Sequence, residues 1–372
     1  MKILIDNGLN TRGTGIAAYS DYLAKALAAL PDTTVTREDF TPKGGRICRR
    51  LSYLRYLSTR RYQKKVATFD VVHYTNYAMP KKLPKGVVSA VTVHDLTAFS
   101  HPETLPTLYA AYNRKMVRLA VKRADIVFTV SGSIAAELTE KFPEARAKIL
   151  PVYPGYYEDA VWENAPATYE NEALQGLKKG KFFLFIGTVE RRKNLTELVK
   201  AYDILLRHCP ALRGFALVLA GSHGLGAMEV IDAVRHTQDA ADIRMTGYVT
   251  EADRAKLLAE ATALCFPSLY EGFGSPQTEG LAANLPLILS DIPTNREVSG
   301  DLALYYPVGD PDMLAKAMEV AARGLYTVDK EKYAARLARF DWQKSAADIR
   351  AAYENAKKNV GDVGDAGDAV AF

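Results

Sequence analysis

The residues best suited to chemistry are two glutamates with seven residues between them, in the stretch Tyr270-Glu271-Gly272-Phe273-Gly274-Ser275-Pro276-Gln277-Thr278-Glu279-Gly280. Gly272 and Gly274 permit positive φ and let a ligand approach the backbone closely. Ser275 suits an N-cap and Pro276 the first helical position, so a helix should begin here with free N–H groups and a dipole that favour an anion. Glu271 and Glu279 flank that start and can accept hydrogen bonds from several hydroxyls. The alternative is a surface loop with two solvated carboxylates. A second segment, Gly187-Thr188-Val189-Glu190-Arg191-Arg192-Lys193-Asn194, follows the apolar run Phe182–Ile186. Arg192 offers a planar fork and Lys193 a point charge, a pair fitted to a diphosphate, although a basic surface turn would read the same way. Asn194 and Glu197 have the spacing of a capping box for the next helix. Weaker signals are Thr14-Gly15-Ile16-Ala17-Ala18-Tyr19, where small residues open a helix, and Val93-His94-Asp95-Leu96 at a strand end. There His94 could donate to a substrate oxygen while Asp95 fixes its environment, or the pair could be structural. Neither a dinucleotide glycine triplet nor a Walker lysine loop is present.

These groups need rigid elements behind them. Short apolar, β-branched runs alternate with stretches of helical period. The expected strands are Lys2–Asp6, Val35–Phe40, Val71–Tyr74, Val88–Val93, Ile126–Val130, Ile149–Val152, Phe182–Ile186, Ala216–Ala220, Ile243–Thr246, Ala263–Phe266 and Leu287–Leu289. Continuously apolar strands separated by helices imply parallel sheets covered on both faces. Pro154–Leu174, rich in Tyr, Pro, Asn and Glu, fits neither period and divides the series. The expected organisation is an N-terminal Rossmann-like domain over 1–155 and a second over 170–340. A C-terminal helix over 341–360 and a frayed tail over 361–372 follow.

A chain of 372 residues is long for one hydrophobic core, and no apolar run reaches the ~18 residues of a membrane span. Cys48, Cys209 and Cys265 are sparse and widely spaced, which points to a reducing compartment with the cytoplasm as default. The net charge is only +5, yet Lys43, Arg46, Arg49, Arg50, Arg55, Arg60, Arg61, Lys64 and Lys65 occupy 43–65 without one acidic residue. Read as one helix, Arg46–Lys65 places Ile47, Leu51, Leu54, Leu57 and Tyr62 on a face widened by Tyr53 and Tyr56. Two readings stand side by side. The helix lies on an anionic membrane, aromatic face down, or it is a solvated surface helix packed on the N-domain core.

Together the motifs resemble family 4 of the retaining glycosyltransferases with the GT-B fold, in order and along most of the chain. Thr14–Tyr19 is similar to the family's N-domain glycine motif, and His94-Asp95 followed by Pro102-Glu103 to its histidine-aspartate segment. Gly187–Asn194 resembles the arginine-lysine loop, and Glu271–Glu279 the two-glutamate motif. Gly247-Tyr248-Val249 resembles the strand exit that meets the nucleobase, and Phe340-Asp341-Trp342 the lead-in to a last helix that crosses back to the N-domain. Arg191 stands where proline is common, Ala17-Ala18 replace glycine-arginine, and Asn284 stands where glycine is common, a residue type that also tolerates left-handed backbone.

The resemblance implies two Rossmann-like domains facing a central cleft. It implies Glu279 on the ribose, Glu271 on the transferred sugar, Arg192 and Lys193 on the departing diphosphate, His94 near the sugar and Gly15 against the phosphates. Gly187, Tyr248, Val249, Gly272, Phe273 and Gly274 would complete the nucleotide site. The implied activity is metal-independent, retaining transfer of a hexose-type sugar from a nucleoside-diphosphate sugar to a glycan or lipid-linked acceptor, in surface polysaccharide assembly. No cofactor, no metal and no nucleic-acid partner are expected, and the membrane reading of 43–65 would make the protein peripheral on the inner membrane face. The competing readings are a sugar-nucleotide epimerase or hydrolase of the same fold and a non-catalytic nucleotide-sugar-binding protein.

Overall fold

The computed structural model describes residues 1–9, 15–41, 45–156 and 166–365. Thr14, Lys43 and the tail beyond Asp365 lie outside them, as does part of the expected junction. The chain divides into two compact units. The first comprises Met1–Ser100, Thr107–Gly155 and Phe340–Phe372; the second comprises His101–Pro106 and Tyr156–Arg339.

In the first unit the strands are β1 (Lys2–Gly8), β2 (Thr34–Asp39), β3 (Val71–Tyr74), β4 (Val88–Val93), β5 (Ile126–Thr129) and β6 (Ile149–Pro151). All pairings are parallel, in the order β2-β1-β3-β4-β5-β6. Its first helices are α1 (Gly15–Ala28), α2 (Arg46–Leu57), α3 (Arg60–Val66), α4 (Thr97–Ser100), α5 (Thr107–Arg123) and α6 (Gly132–Lys141). The second unit carries β7 (Phe182–Ile186), β8 (Ala216–Ala220), β9 (Ile243–Gly247), β10 (Ala263–Phe266), β11 (Leu287–Ser290) and β12 (Leu304–Tyr306). They form a second parallel sheet in the order β12-β11-β10-β7-β8-β9. Its helices are α7 (Leu195–His208), α8 (Ala227–Arg235), α9 (Glu251–Glu260), α10 (Ser275–Ala282), α11 (Pro293–Ser299), α12 (Pro311–Ala322) and α13 (Lys330–Leu337). The run Phe182–Ile186 is buried at every residue, as a strand covered on both faces must be.

The last helix, α14 (Trp342–Asp365), belongs to the first unit and packs on α1, β4 and β5. Trp342 stacks on Tyr22 with ring centroids 5.7 Å apart. Gly155 is required beside it, because a Cβ there would meet the Trp342 backbone nitrogen at 2.6 Å. Tyr353, fully buried, bonds through its hydroxyl to His73 Nδ1 at 2.6 Å, while His73 Nε2 bonds Thr92 Oγ1 at 2.7 Å.

Four expectations change. The helix α14 continues to Asp365, so Gly361–Asp365 are helical and were misassigned to the tail. The strand β12 was missed. Residues 46–65 are two helices, not one, because Thr59 caps α3 by accepting the Tyr62 N–H at 3.2 Å and breaks the run. The aromatic face of these helices is not offered to a bilayer. Tyr53, Leu57 and Tyr62 are buried, and the hydroxyls of Tyr53 and Tyr62 each donate to Asp6 at 2.6 Å. This aromatic face packs on the N-domain core. Among the described residues no helix is long and apolar enough to cross a membrane.

Candidate functional site

In the second unit β7 pairs β8 on one side and β10 on the other, so the chain direction of winding reverses between β7 and β10. Loops leaving the carboxyl ends of such neighbours diverge and open a crevice where ligands bind. The two loops here are 187–194 and 267–274. They are tied together by the Leu269 N–H, which donates to the Arg192 carbonyl at 2.8 Å. Gly187 (φ 147°) lies against Gly221, where a Cβ would meet the Gly187 oxygen at 2.0 Å. Only glycine lets the ends of β7 and β8 come so close. Gly221 was not singled out in the sequence, although it directly follows the apolar strand β8.

Arg191–Lys193 form a 3-10 turn that sorts three adjacent cations. Arg191 turns outward to Glu229, whereas Arg192 and Lys193 turn in. Lys193 Nζ donates to Glu271 Oε1 at 2.5 Å, and Arg192 Nη1 donates to Glu271 Oε2 at 3.0 Å. Arg192 also donates through Nε to Glu190 at 3.1 Å. The Lys193 ammonium sits 4.4 Å from the centre of the Phe266 ring. Glu271 is 4% exposed and Lys193 6%. Burial lowers the Lys193 pKa, the Arg192 charge lowers it further, and Glu271 restores part, leaving it at about 8. For Glu271, burial acts upward, but the charges of Lys193 and Arg192 outweigh it and the carboxyl is held below its usual range. Both partners are therefore charged at neutral pH.

The helix α10 starts at Ser275 with Gly274 as its N-cap in the left-handed region (φ 82°), and no side chain caps it. Ser275 and Pro276 thus stand one position later than their types suggested. A Cβ on Gly274 would meet Gln277 Nε2 at 2.4 Å. The expected capping box is likewise replaced. Asn194 is left-handed (φ 54°) and its amide bonds the Glu197 carboxylate, which accepts from the Gly309 N–H at 3.0 Å. Gly272 and Phe273 are buried within the loop. Beneath it lies a polar layer that the sequence reading missed. Thr294 donates to the Glu271 carbonyl at 2.8 Å, Gln277 to Asn295 at 2.7 Å, and Asn295 to the Ser290 carbonyl at 2.8 Å. These are ordinary polar residues on α10, α11 and β11, and no local pattern marks them.

Glu279, 1% exposed, points from the second turn of α10 to Arg254 on α9, whose Nε donates to Oε2 at 3.1 Å and whose Nη2 donates to Oε1. Burial pushes the Glu279 carboxyl up, and Arg254 opposes it. At the exit of β9, Tyr248 is exposed and Val249 buried. One unit therefore brings together Gly187, Arg192, Lys193, Glu271, Gly272, Phe273 and Gly274 on adjoining loops, with Glu279 on the same helix that the glycine loop opens. Among the described residues no cluster of three or more His, Cys, Asp or Glu could hold a metal ion.

His94 and Gly15 are in the first unit. Gly15 opens α1. The His94 ring packs edge-on against Tyr19 at 4.8 Å, and its Nε2 lies 3.0 Å from the Thr75 carbonyl oxygen. A carbonyl only accepts, so Nε2 carries the proton. Burial lowers the His94 pKa to about 4, with Thr75 and Asp95 opposing, so the ring is neutral and Nδ1 is an acceptor. The Nε2 proton is thus engaged by the Thr75 backbone. Asp95 accepts the Thr97 N–H at 3.1 Å and thereby starts α4.

Two family models match the chain, Glycosyltransferase Family 4 over residues 13–159 and Glycosyl transferases group 1 over 170–324. The O-antigen chain mannosyltransferase B of Escherichia coli is 29% identical over 66% of this chain and 63% of its own length. The chain thus spans less than two thirds of that relative. Among solved structures, the sucrose-phosphate synthase of Thermosynechococcus elongatus superposes with a TM-score of 0.70 at 16% identity, over 95% of this chain and 98% of that one. The HepE protein of Anabaena, solved in complex with UDP, gives a TM-score of 0.67 at 14% identity over 95% and 99%. With two parallel α/β units, motifs in family order and both family models matched, the chain belongs to family 4 of the glycosyltransferases, with the GT-B fold.

Proposed function

We propose that the protein transfers a hexose-type sugar from a nucleoside-diphosphate sugar to a glycan or lipid-linked acceptor, without a metal and with retention, in surface polysaccharide assembly. The observation that carries this reading is the Arg192–Lys193–Glu271 cluster, with its lysine and glutamate buried, beside the α10 N-terminus that no side chain caps. Sugar transfer leaves negative charge on the departing diphosphate and positive charge on an oxocarbenium-like carbon. Two preorganised cations in a poorly hydrated site favour the first at no reorganisation cost. The Glu271 carboxylate keeps those cations charged and in place before substrate binds. Its oxygens can also accept the hydroxyls of the sugar, and Glu279 those of the ribose. A neutral His94 with Nδ1 as acceptor would receive a sugar hydroxyl, not protonate the leaving group. The name of the Escherichia coli relative makes mannose the first sugar to test.

The experiment is incubation with a panel of GDP- and UDP-hexoses, with and without lipid-linked glycan acceptors and with EDTA. Sugar transferred only in the presence of acceptor, undiminished by EDTA and with the donor's anomeric configuration kept, is the expected result. Nucleoside diphosphate released without any acceptor would indicate a hydrolase, and an altered sugar still on its nucleotide an epimerase. Magnesium-restored activity after EDTA would overturn the metal-free mechanism.

With the tyrosine face of α2 and α3 buried, a membrane contact falls to their outer surface. Arg55, Arg60, Arg61 and Lys64 are exposed beside Leu51, which is 62% exposed. Arg50 lies 4.5 Å over the Tyr109 ring on α5, which also carries Leu108 at 88% exposure. We propose that this leucine-and-cation surface rests on anionic lipid at the inner membrane face. Flotation with anionic vesicles should weaken with salt and with Leu51 and Leu108 changed to Ser. Equal flotation with neutral vesicles would remove the proposal.

A further inference from the structure

Glu279 is a buried carboxylate whose charge needs a partner. The charged groups that face it among the described residues are Arg254 and, more weakly and with opposite sign, Glu251, both on α9. The arginines of α11 and α13, which pack on α10, are committed elsewhere. Arg296 of α11 pairs with Asp291, and Arg336 of α13 caps the carbonyls of Glu297 and Val298. Arg254 meets Glu279 as a fork, Nε on one oxygen and Nη2 on the other, while Nη1 lies 3.3 Å from Glu251.

The fork is held from behind. Thr250 caps α9 by accepting the Asp253 N–H at 3.1 Å, and the Asp253 carboxylate accepts the N–H groups of Glu170 and Asn171 at 2.7 and 3.1 Å. The first turn of α9 is thereby pinned immediately after the β9 exit that carries Tyr248. An ionised carboxylate offers about four acceptor directions, of which a bidentate guanidinium occupies two. The remaining two suit a vicinal diol.

We propose that Arg254 is a positioning residue of the nucleoside subsite, whose planar guanidinium orients the Glu279 carboxylate and supplies the countercharge under which it accepts hydrogen bonds from the ribose diol. This rests on the reading of Glu279 as the ribose acceptor. Without Arg254, burial drives Glu279 to take up a proton, and a neutral carboxyl loses one acceptor direction and gains a donor. Lysine restores the charge but not the in-plane geometry.

The test is calorimetric binding of UDP and GDP between pH 5.5 and 8 to the full chain and its Arg254→Met, Arg254→Lys and Glu279→Gln variants, with inorganic pyrophosphate as control. The wild type sets the reference profile, which carries the titrations of the diphosphate itself and of Lys193. Arg254→Met should bind the nucleotide about tenfold more weakly than the wild type at pH 8, the scale of one charge-assisted hydrogen bond, and the gap to the wild type should widen as the pH falls. Pyrophosphate binding should not change. Arg254→Lys should bind weakly, but with a pH profile parallel to that of the wild type. Wild-type affinity and a pH profile parallel to that of the wild type in Arg254→Met would overturn the proposal. If Arg254→Met is unfolded by thermal melting, Arg254→Lys carries the test, and wild-type affinity there overturns it. Failure of the underlying reading is separate, because Glu279→Gln would then bind nucleotide like the wild type.

Discussion

Lys193 is an ammonium buried among a guanidinium, a carboxylate and a phenyl ring, and that environment gives it a titration near the working range. Its pKa of about 8 in the free protein means it loses charge as the pH rises past 8, not as it falls. Since kcat/KM reports groups of the free enzyme, the profile should descend above about pH 8 with the loss of one proton. In Lys193→Arg the limb should move upward beyond the measurable range, because a guanidinium does not titrate there. A limb left in place would assign it to another group. Removing the charge altogether, in Lys193→Ala or Arg192→Ala, should lower turnover by roughly a hundredfold or more, as loss of one transition-state charge partner does. Truncating Glu271 to Ala has a different signature. It strands a buried ammonium, and stability should fall by about 3–5 kcal/mol, the usual result of breaking one side of a buried pair. Chemical denaturation distinguishes the two effects. The residue types of this cluster were visible in the sequence, since two cations and a carboxylate sat on glycine-rich strand exits. Their partners were not, because Arg192 and Glu271 are 79 positions apart and only the pairing of β7 with β10 makes them neighbours.

At the scale of elements, the open start of α10 depends on a backbone that glycine alone adopts without strain. Gly274→Ala places a Cβ at φ 82° and within 2.4 Å of the Gln277 amide, which is bonded to Asn295. The variant should weaken nucleotide-diphosphate binding, measured by thermal shift, while Gly86→Ala, also at positive φ but with no atom within 4 Å, should not. Equal losses in both would mean that general backbone strain, not the loop, is responsible. Most strands were legible because parallel strands are continuously apolar, and Phe182–Ile186 is unmistakable. The three-residue strand β12 escaped because Leu302-Ala303-Leu304-Tyr305-Tyr306 is too short to tell from a buried helical turn, and only pairing with β11 decides. The break between α2 and α3 had its sign in Ser58-Thr59, but the longer amphipathic period concealed it. The same period was compatible with lipid or with core. What chose the core was Asp6, a buried carboxylate at the end of β1 that the hydroxyls of Tyr53 and Tyr62 satisfy from 47 and 56 residues away.

For the whole molecule, the division into two units has a thermodynamic consequence, because each sheet carries its own core and its own buried polar network. In the first unit that network includes the bond between Tyr353 on α14 and the buried, neutral ring of His73, whose pKa is pushed down to about 3 by burial. The helix α14 follows the whole second unit in sequence, yet it covers β4 and β5 of the first, so that core needs a segment from beyond the other unit. Tyr353→Phe removes the hydroxyl and leaves His73 Nδ1 buried without its partner. The expected cost is about 1–3 kcal/mol, the range for an unsatisfied buried polar group. If the units unfold separately, that loss should move one calorimetric transition and leave the other unchanged. Added nucleotide diphosphate should do the reverse, raising the transition of the second unit by mass action to the same extent in wild type and variant. A single transition displaced by both perturbations would mean that the two cores unfold together. In that case the site loops would take their stability from the whole chain and not from their own sheet.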